Sequence, residues 1–215
     1  MVNWILRLFL ATAASTRIFV RSTVIGRENL RGPGRKIVAS SHRSTFDPIP
    51  LFALITQYRR DVTFLAMAEL FRNPVMRPIL EWFGIIPVDR GTAAAVQASA
   101  MGVTALEDDG VVAAYIEGKI STTGELLPPK KGVAYMALRT SALVIPVAVA
   151  GTQNVKRLGT PPWKWGWRQH YVIVIGSPIQ PHALDSPAYR DAFTAQVMAS
   201  IAQLKKQAEE ILAAK

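Results

Sequence analysis

Six short apolar runs are spaced along the chain with helix-length segments between them, and this alternation limits the possible fold more than any other feature. The runs are KIVASS (36–41), VTFLA (62–66), IIPV (85–88), VVAAYI (111–116), LVIPVAVA (143–150) and YVIVIG (171–176). All contain β-branched residues and are close to strand length. Between them the sequence predicts helices over about 48–57, 68–82, 92–108 and 131–140, with a last one near 187–213. Strands and helices that take turns build an α/β sandwich around a mostly parallel sheet flanked by helices. Several of the runs are apolar throughout, as strands covered on both faces must be. With 215 residues, half of them apolar, the chain suffices for one domain with a full core. The expected division is an N-terminal segment, 1–22, and a single α/β domain, 23–215.

Charge is the second constraint. The net charge is +10, and residues 1–60 carry most of it: ten Lys or Arg against Glu28 and Asp47, or +8. That end of the protein is expected to face something anionic, a membrane surface or a nucleic acid. The first twenty residues, MVNWILRLFLATAASTRIFV, resemble a secretory leader only superficially, because Arg7 interrupts the apolar run. Arg7 and Arg17 also divide it too finely for a bilayer-spanning helix. On a helical wheel Asn3, Arg7, Arg17 and Arg21 share one sector and Trp4, Ile5, Leu8, Phe9, Phe19 and Val20 fill the rest, the pattern of a helix lying in a membrane interface. PPWKWGWRQH places Trp163, Trp165 and Trp167 among Lys164 and Arg168, which suits the headgroup boundary; stacking on single-stranded nucleic acid or an inward-turned loop would use the same residues. The segment ELFRNPVMRPILEWFG, with Arg72 and Arg77 among apolar residues, adds a second surface of this kind.

Several chemistries lack the residues they need. There is no cysteine, hence no disulfide, no thiolate metal site and no cysteine nucleophile. His42, His170 and His182 stand at no spacing that makes a zinc pair, so no metal site is assigned. The sequence has no Gly-x-Ser-x-Gly elbow.

What remains is SHRSTFDP. His42 follows the first apolar run and Asp47 precedes Pro48, so a strand end and a helix start can bring the two side chains together. A carboxylate that accepts from one ring nitrogen fixes the tautomer and leaves the other nitrogen as a base for a substrate hydroxyl. The plainer role for an aspartate before a proline is a helix N-cap.

Three more segments follow in order: GIIPVDRG (84–91), YIEGKIS (115–121) and VIPVAVAG (144–151). Together with SHRSTFD, over roughly residues 20–180, they resemble the four blocks of the glycerolipid acyltransferase family, which includes bacterial 1-acylglycerol-3-phosphate acyltransferases. The resemblance implies that His42 is the general base and Asp47 its orienting partner, with Ser41 in place of a leading Asn. It implies that Arg90 holds the acceptor's phosphate. In the third block, usually Phe-Pro-Glu-Gly-Thr-Arg-Ser, Tyr115, Glu117, Gly118 and Ser121 match, whereas Ile116, Lys119 and Ile120 depart. Ile120 stands where the family has an arginine, and Lys119 offers a point charge without a bidentate fork. The fourth block would be a buried strand lining the acyl-chain region.

PPKKGVAYMA resembles the family's basic helix start, and Lys130 and Lys131 beside free amides suit a phosphate. The phosphate-binding set expected from the sequence is therefore Arg90, Glu117, Gly118, Lys119, Ser121, Lys130 and Lys131. A solvated basic rim is the plainer reading of the cations, and a surface acid that of Glu117.

The implied activity is transfer of a fatty acyl chain from acyl-CoA or acyl carrier protein to a hydroxyl of lysophosphatidate or a related glycerol-phosphate acceptor. Backbone amides would serve the oxyanion, and no cofactor beyond the acyl co-substrate is expected. The alternatives are a glycerol-3-phosphate or other lyso-lipid acyltransferase and, from another class, a non-catalytic basic module that binds lipid or nucleic acid. The expected partners are an anionic membrane surface, the acceptor and acyl-CoA, without nucleic acid. The expected location is the cytoplasmic face of the cell membrane.

Overall fold

A computed structural model describes residues 21–59, 62–74, 76–82, 85–88, 92–107, 109–155, 169–182 and 186–215. The strands are β1 (Arg21–Ile25), β2 (Lys36–Ser40), β3 (Val62–Met67), β4 (Ile86–Val88), β5 (Val111–Tyr115), β6 (Leu143–Ala150) and β7 (His170–Ile175). The helices are α1 (Pro48–Ile55), α2 (Met76–Trp82), α3 (Thr92–Glu107), α4 (Gly132–Thr140), a single turn α5 (Thr152–Val155) and α6 (Pro187–Ala213). The seven strands form one sheet in the order β1-β7-β6-β2-β5-β3-β4. Every pairing is parallel except β6 with β7. The fold is thus the α/β sandwich expected from the alternating runs.

Period-two alternation within the apolar strands explains why they are buried on both sides. Val38, Val111, Ala113, Ile145, Val147 and Val149 point to one face, where Leu51, Leu54 and Ile55 of α1 cover them. Ile37, Ala39, Val112, Ala114 and Val144 point to the other, against Leu106 of α3, Met136 of α4 and Phe193, Val197 and Ile201 of α6. α6 starts cleanly: the Tyr189 amide donates to Ser186 Oγ at 3.2 Å, and Pro187 occupies the first turn.

Two expectations change. Arg21 and Ser22, the end of the segment read as an interfacial helix, belong to β1, which pairs with β7 from Arg21↔His170 to Ile25↔Val174. As an edge strand it is only partly buried, and its sequence carries little alternation. The helix expected over 68–82 is broken into a 3-10 turn (Ala68–Arg72) and α2. Pro74 lies between them; it cannot donate an amide, and it pushes the preceding residue out of the helical region. The rest of the predicted interfacial helix, residues 1–20, and the tryptophan segment from Trp163 to Arg168 lie outside the described residues.

Candidate active site

β2 is the central strand; its parallel neighbour β5 ends level with it, Ser40 pairing with Tyr115, while β6, whose Val147 pairs with Ser40, runs on to Ala150. The carboxyl ends of parallel strands are where open α/β sheets hold their ligands. Ser41 finishes β2 by donating its amide to the Val147 carbonyl at 3.2 Å, and its hydroxyl accepts from the Val149 amide at 3.3 Å. The residue in the place of the expected asparagine therefore ties β2 to β6.

His42 comes next, and Asp47 meets it. His42 Nδ1 lies 2.8 Å from Asp47 Oδ2. The same oxygen accepts the amides of Arg43 at 2.6 Å and Ser44 at 2.8 Å. An ionised carboxylate can only accept, so the imidazole donates through Nδ1 and its Nε2 carries the lone pair. Nε2 has no partner among the described residues. Asp47 is fully buried, while the His42 side chain is 13 % exposed and reachable by a substrate. The Asp47 carboxylate makes no side-chain cap bond to α1. Of the two roles open to it in the sequence, it has the one that orients the histidine.

The loop after β5 clamps the histidine's main chain from the other side. The His42 amide donates to Glu117 Oε1 at 2.9 Å, and the Leu127 amide donates to Glu117 Oε2 at 2.7 Å. The Ser121 amide donates to the His42 carbonyl at 2.9 Å, and the Ser121 hydroxyl donates to the Glu125 carbonyl. Tyr115 stacks on the imidazole with ring centroids 3.7 Å apart and planes within 9°. Burial, and then the charge of Asp47, push its phenol well above the ordinary tyrosine range, so it stays neutral.

The sequence profile of the Acyltransferase family matches residues 21–150, which spans every element of this site. The chain belongs to the acyltransferase family. It is 26% identical over 136 residues to a 1-acyl-sn-glycerol-3-phosphate acyltransferase of Borreliella burgdorferi, a match covering 63% of this chain and 53% of the relative. A relative of the same name from Limnanthes douglasii is 29% identical over 128 residues, covering 59% of this chain and 44% of its own. The matched stretch thus spans about half the length of these curated relatives. The crystal structure of PlsC from Thermotoga maritima, a 1-acyl-sn-glycerophosphate acyltransferase, shares the fold, with a TM-score of 0.73 and 21% identity over 95% of this chain and 77% of that one.

In this acyltransferase the residues expected at a phosphate separate into three groups. Arg90 lies outside the described residues. Glu117 and Ser121 do not face a ligand: Glu117 is 1% exposed with both oxygens taken by amides, and Ser121 is buried and bonded to its own loop. An anion so placed would repel a phosphate, and its role is to hold the chain. Lys131 is exposed but pairs with Asp191 of α6. Gly118, Lys119 and Lys130 remain exposed beside the histidine's loop. Gly118 has φ +67, and a Cβ there would meet Lys130 Cγ at 3.3 Å, so the lysine stem lies on the glycine. Among the described residues no cluster of three or more His, Cys, Asp or Glu is placed to hold a metal.

Two residues of the site carry more than the sequence suggested. Tyr115 matches the family's aromatic position, but nothing in the sequence reveals its stacking, which depends on the β2–β5 register. Arg43 entered the sequence reading only as one of the basic residues.

Proposed function

We propose that this acyltransferase moves a fatty acyl chain from a thioester donor, acyl-CoA or acyl carrier protein, onto a free hydroxyl of lysophosphatidate, as a step in phospholipid synthesis. The observation that carries the proposal is a partly exposed imidazole whose Nδ1–H is held by a buried carboxylate and whose Nε2 has no partner among the described residues. Nε2 takes the hydroxyl proton as the oxygen attacks the thioester carbonyl. The imidazolium so formed is stabilised by Asp47, whose remaining bonds to the Arg43 and Ser44 amides keep it in place. The tetrahedral intermediate collapses by breaking its carbon–sulfur bond, and the proton on Nε2 leaves with the thiolate. The nucleophile belongs to the substrate, so no acyl-enzyme is formed.

Lysophosphatidate is favoured as acceptor because the matched relatives carry that substrate in their names and because exposed cations, Lys119 and Lys130, lie on the segment after β5 that binds the His42 main chain. Arg90 joins them in this proposal through its place in the second block. Glycerol 3-phosphate and other lyso-lipids are the competing acceptors. No helix among the described residues is long and apolar enough to cross a membrane. The basic, apolar N-terminal segment and the tryptophan segment would hold the enzyme at the cytoplasmic surface of an anionic membrane, where acceptor and product reside.

The test is thiol release from a long-chain acyl-CoA with a panel of acceptors presented in anionic vesicles. Release should depend on lysophosphatidate and fall on the order of 10³-fold in a folded His42→Ala protein. A His42→Ala protein that keeps the wild-type rate refutes the base. Tight DNA binding without release would favour a non-catalytic module.

A further inference from the structure

We propose that Arg43 is a positioning residue for acyl transfer: its guanidinium, enclosed by the loop after β5, props the tip of that loop against the turn that carries His42 and Asp47. This assignment rests on the acyl-transfer reading above.

The loop runs from Ile116 to Lys131 without regular structure, and its two halves are held differently. Its root is bound to the base. Glu117 accepts the His42 and Leu127 amides, the Ser121 amide donates to the His42 carbonyl, and the Lys130 amide closes the root on the Ile116 carbonyl at 2.7 Å. The tip, residues 122–126, makes hydrogen bonds only inside the loop among the described residues: the Ser121 hydroxyl donates to the Glu125 carbonyl, and the Glu125 amide to Thr123 Oγ1 at 3.4 Å. Those bonds fix the shape of the tip. They do not fix where it stands relative to the dyad.

Arg43 supplies that contact. Its amide donates to Asp47 Oδ2 at 2.6 Å, so its main chain is pinned at the root of the dyad. Its side chain reaches Gly124, where a Cβ would come within 2.6 Å of Nη1, 3.1 Å of Nη2 and 3.3 Å of Cζ. The guanidinium thus stands where a side chain at 124 would have to go, and Gly124, with φ +99, has a backbone that disfavours one. Nη1 is buried. An arginine head closed in this way is not open to a ligand; what it offers is a rigid planar body between the dyad's turn and the tip of the loop.

Stability alone is a poor account of this arrangement. Arg35 and Arg59 brace the chain by donating to main-chain carbonyls. Arg43 Nη1 has no hydrogen-bond partner among the described residues. A guanidinium does not lose its charge at any ordinary pH, so a buried unpaired donor on it weakens the fold. Such a group, directly after the base in the chain, is explained by where it holds the loop. The same loop carries Lys119 and Lys130, the latter with its stem on Gly118. If the tip drifts, the root follows, and the His42 main chain and both lysines shift with it. A misplacement of about 1 Å between reacting groups lowers a rate roughly 10²-fold.

The experiment is a double-mutant cycle of Arg43→Ala, Gly124→Ala and the two together, with kcat and the lysophosphatidate KM measured and circular dichroism as the check on folding. Each single variant should lower kcat about 10- to 100-fold at a temperature where it is folded, Arg43→Ala by leaving the tip unsupported and Gly124→Ala by driving the guanidinium from its seat. The double variant should be no worse than the poorer single, because the contact a Cβ at 124 would make is then gone. Arg43→Lys keeps charge without the planar head; it should fall between Arg43→Ala and wild type, and it replaces Arg43→Ala if that protein does not fold. A folded Arg43→Ala protein with wild-type kcat overturns the assignment, as do losses that multiply in the double variant. A raised lysophosphatidate KM with kcat unchanged overturns it too, since that would mean Arg43 touches the acceptor. Hydrogen exchange of the Ser121 and Leu127 amides, read without substrate, tests the prop apart from turnover: both should exchange about tenfold faster in Arg43→Ala. Faster exchange with no transfer by wild type would keep the prop and sink the acyl-transfer reading; unchanged exchange would sink the prop.

Discussion

Two buried carboxylates lie on opposite sides of one histidine, and they do different work. Asp47, on the turn before α1, is 0% exposed and gathers the ring nitrogen and two amides on a single oxygen, Oδ2; Oδ1 has no partner among the described residues. Glu117, on the loop after β5, is 1% exposed and spends both oxygens on main-chain amides, one from His42 and one from Leu127. The first holds the ring that the proposed reaction would load with a proton; the second holds the chain that carries the ring. Burial and acceptor count alone would make them look alike. What separates them is whether the donor is a titratable side chain or a peptide group.

Conservative amides at the two positions should break the resemblance most sharply. Asp47→Asn can no longer stabilise the imidazolium and can present the wrong tautomer, so kcat should fall on the order of 10³-fold while the thermal midpoint moves little. Glu117→Gln keeps one accepting oxygen and turns an NH₂ toward the other amide. It should cost about 1–3 kcal/mol of stability, read by urea denaturation, with kcat falling less than in Asp47→Asn at a temperature where the protein is folded. If Glu117→Gln loses activity as deeply as Asp47→Asn while remaining equally stable, the division of labour is wrong.

Tyr115 touches the ring side of this comparison. Removing its stacking surface in Tyr115→Ala should lower kcat by about tenfold, because the imidazole gains freedom to leave the plane set by Asp47. Tyr115→Phe keeps the stack and removes a buried hydroxyl that has no partner among the described residues. It should match wild type in kcat and be as stable or up to about 1 kcal/mol more so. A large loss in Tyr115→Phe would mean that the hydroxyl takes part in the reaction.

The smallest effect is expected at the sheet edge, away from both carboxylates. His170 shares a 2.9 Å hydrogen bond with Thr23 across β1 and β7. Burial, then the charges of Lys215 and Arg21, lower its pKa from the ordinary 6.5. A histidine whose folded pKa is lowered stabilises the fold fully above the unfolded value, and that contribution is lost as pH falls below about 6.5. His170→Gln should flatten the stability profile slightly between about pH 7 and 5 and leave the pH dependence of kcat untouched. A changed kcat profile would place the sheet edge in communication with the site.

The strands were legible because fully buried strands cannot disguise themselves: all six apolar runs appear in the sheet, and LVIPVAVA coincides with β6 residue for residue. β1 was missed because RSTVI is half exposed and its pairing partner lies almost 150 residues further along the chain. His42 and Asp47 could be paired from sequence because a turn of five residues brings them together without help from the rest of the molecule. Glu117 was picked out from the sequence as a phosphate-site residue, whereas the fold puts both its oxygens on main-chain amides. A glutamate beside a glycine at a strand end is compatible with a ligand contact, and only the β2–β5 register puts the His42 amide in front of it. Lys131 likewise looked free until α6 brought Asp191 alongside.

Composition and periodicity were thus enough to establish the alternation of buried strands with helices, the absence of thiol chemistry, the basic character of the chain and the local dyad, since each depends on neighbours close in the chain. The seating of Arg43 on Gly124, the stacking of Tyr115 on His42 and the conversion of Glu117 into a clamp arise where β2 and β5 lie side by side. Contacts between residues some seventy positions apart are set by strand order and register, and those follow from packing of the whole sheet against its helices.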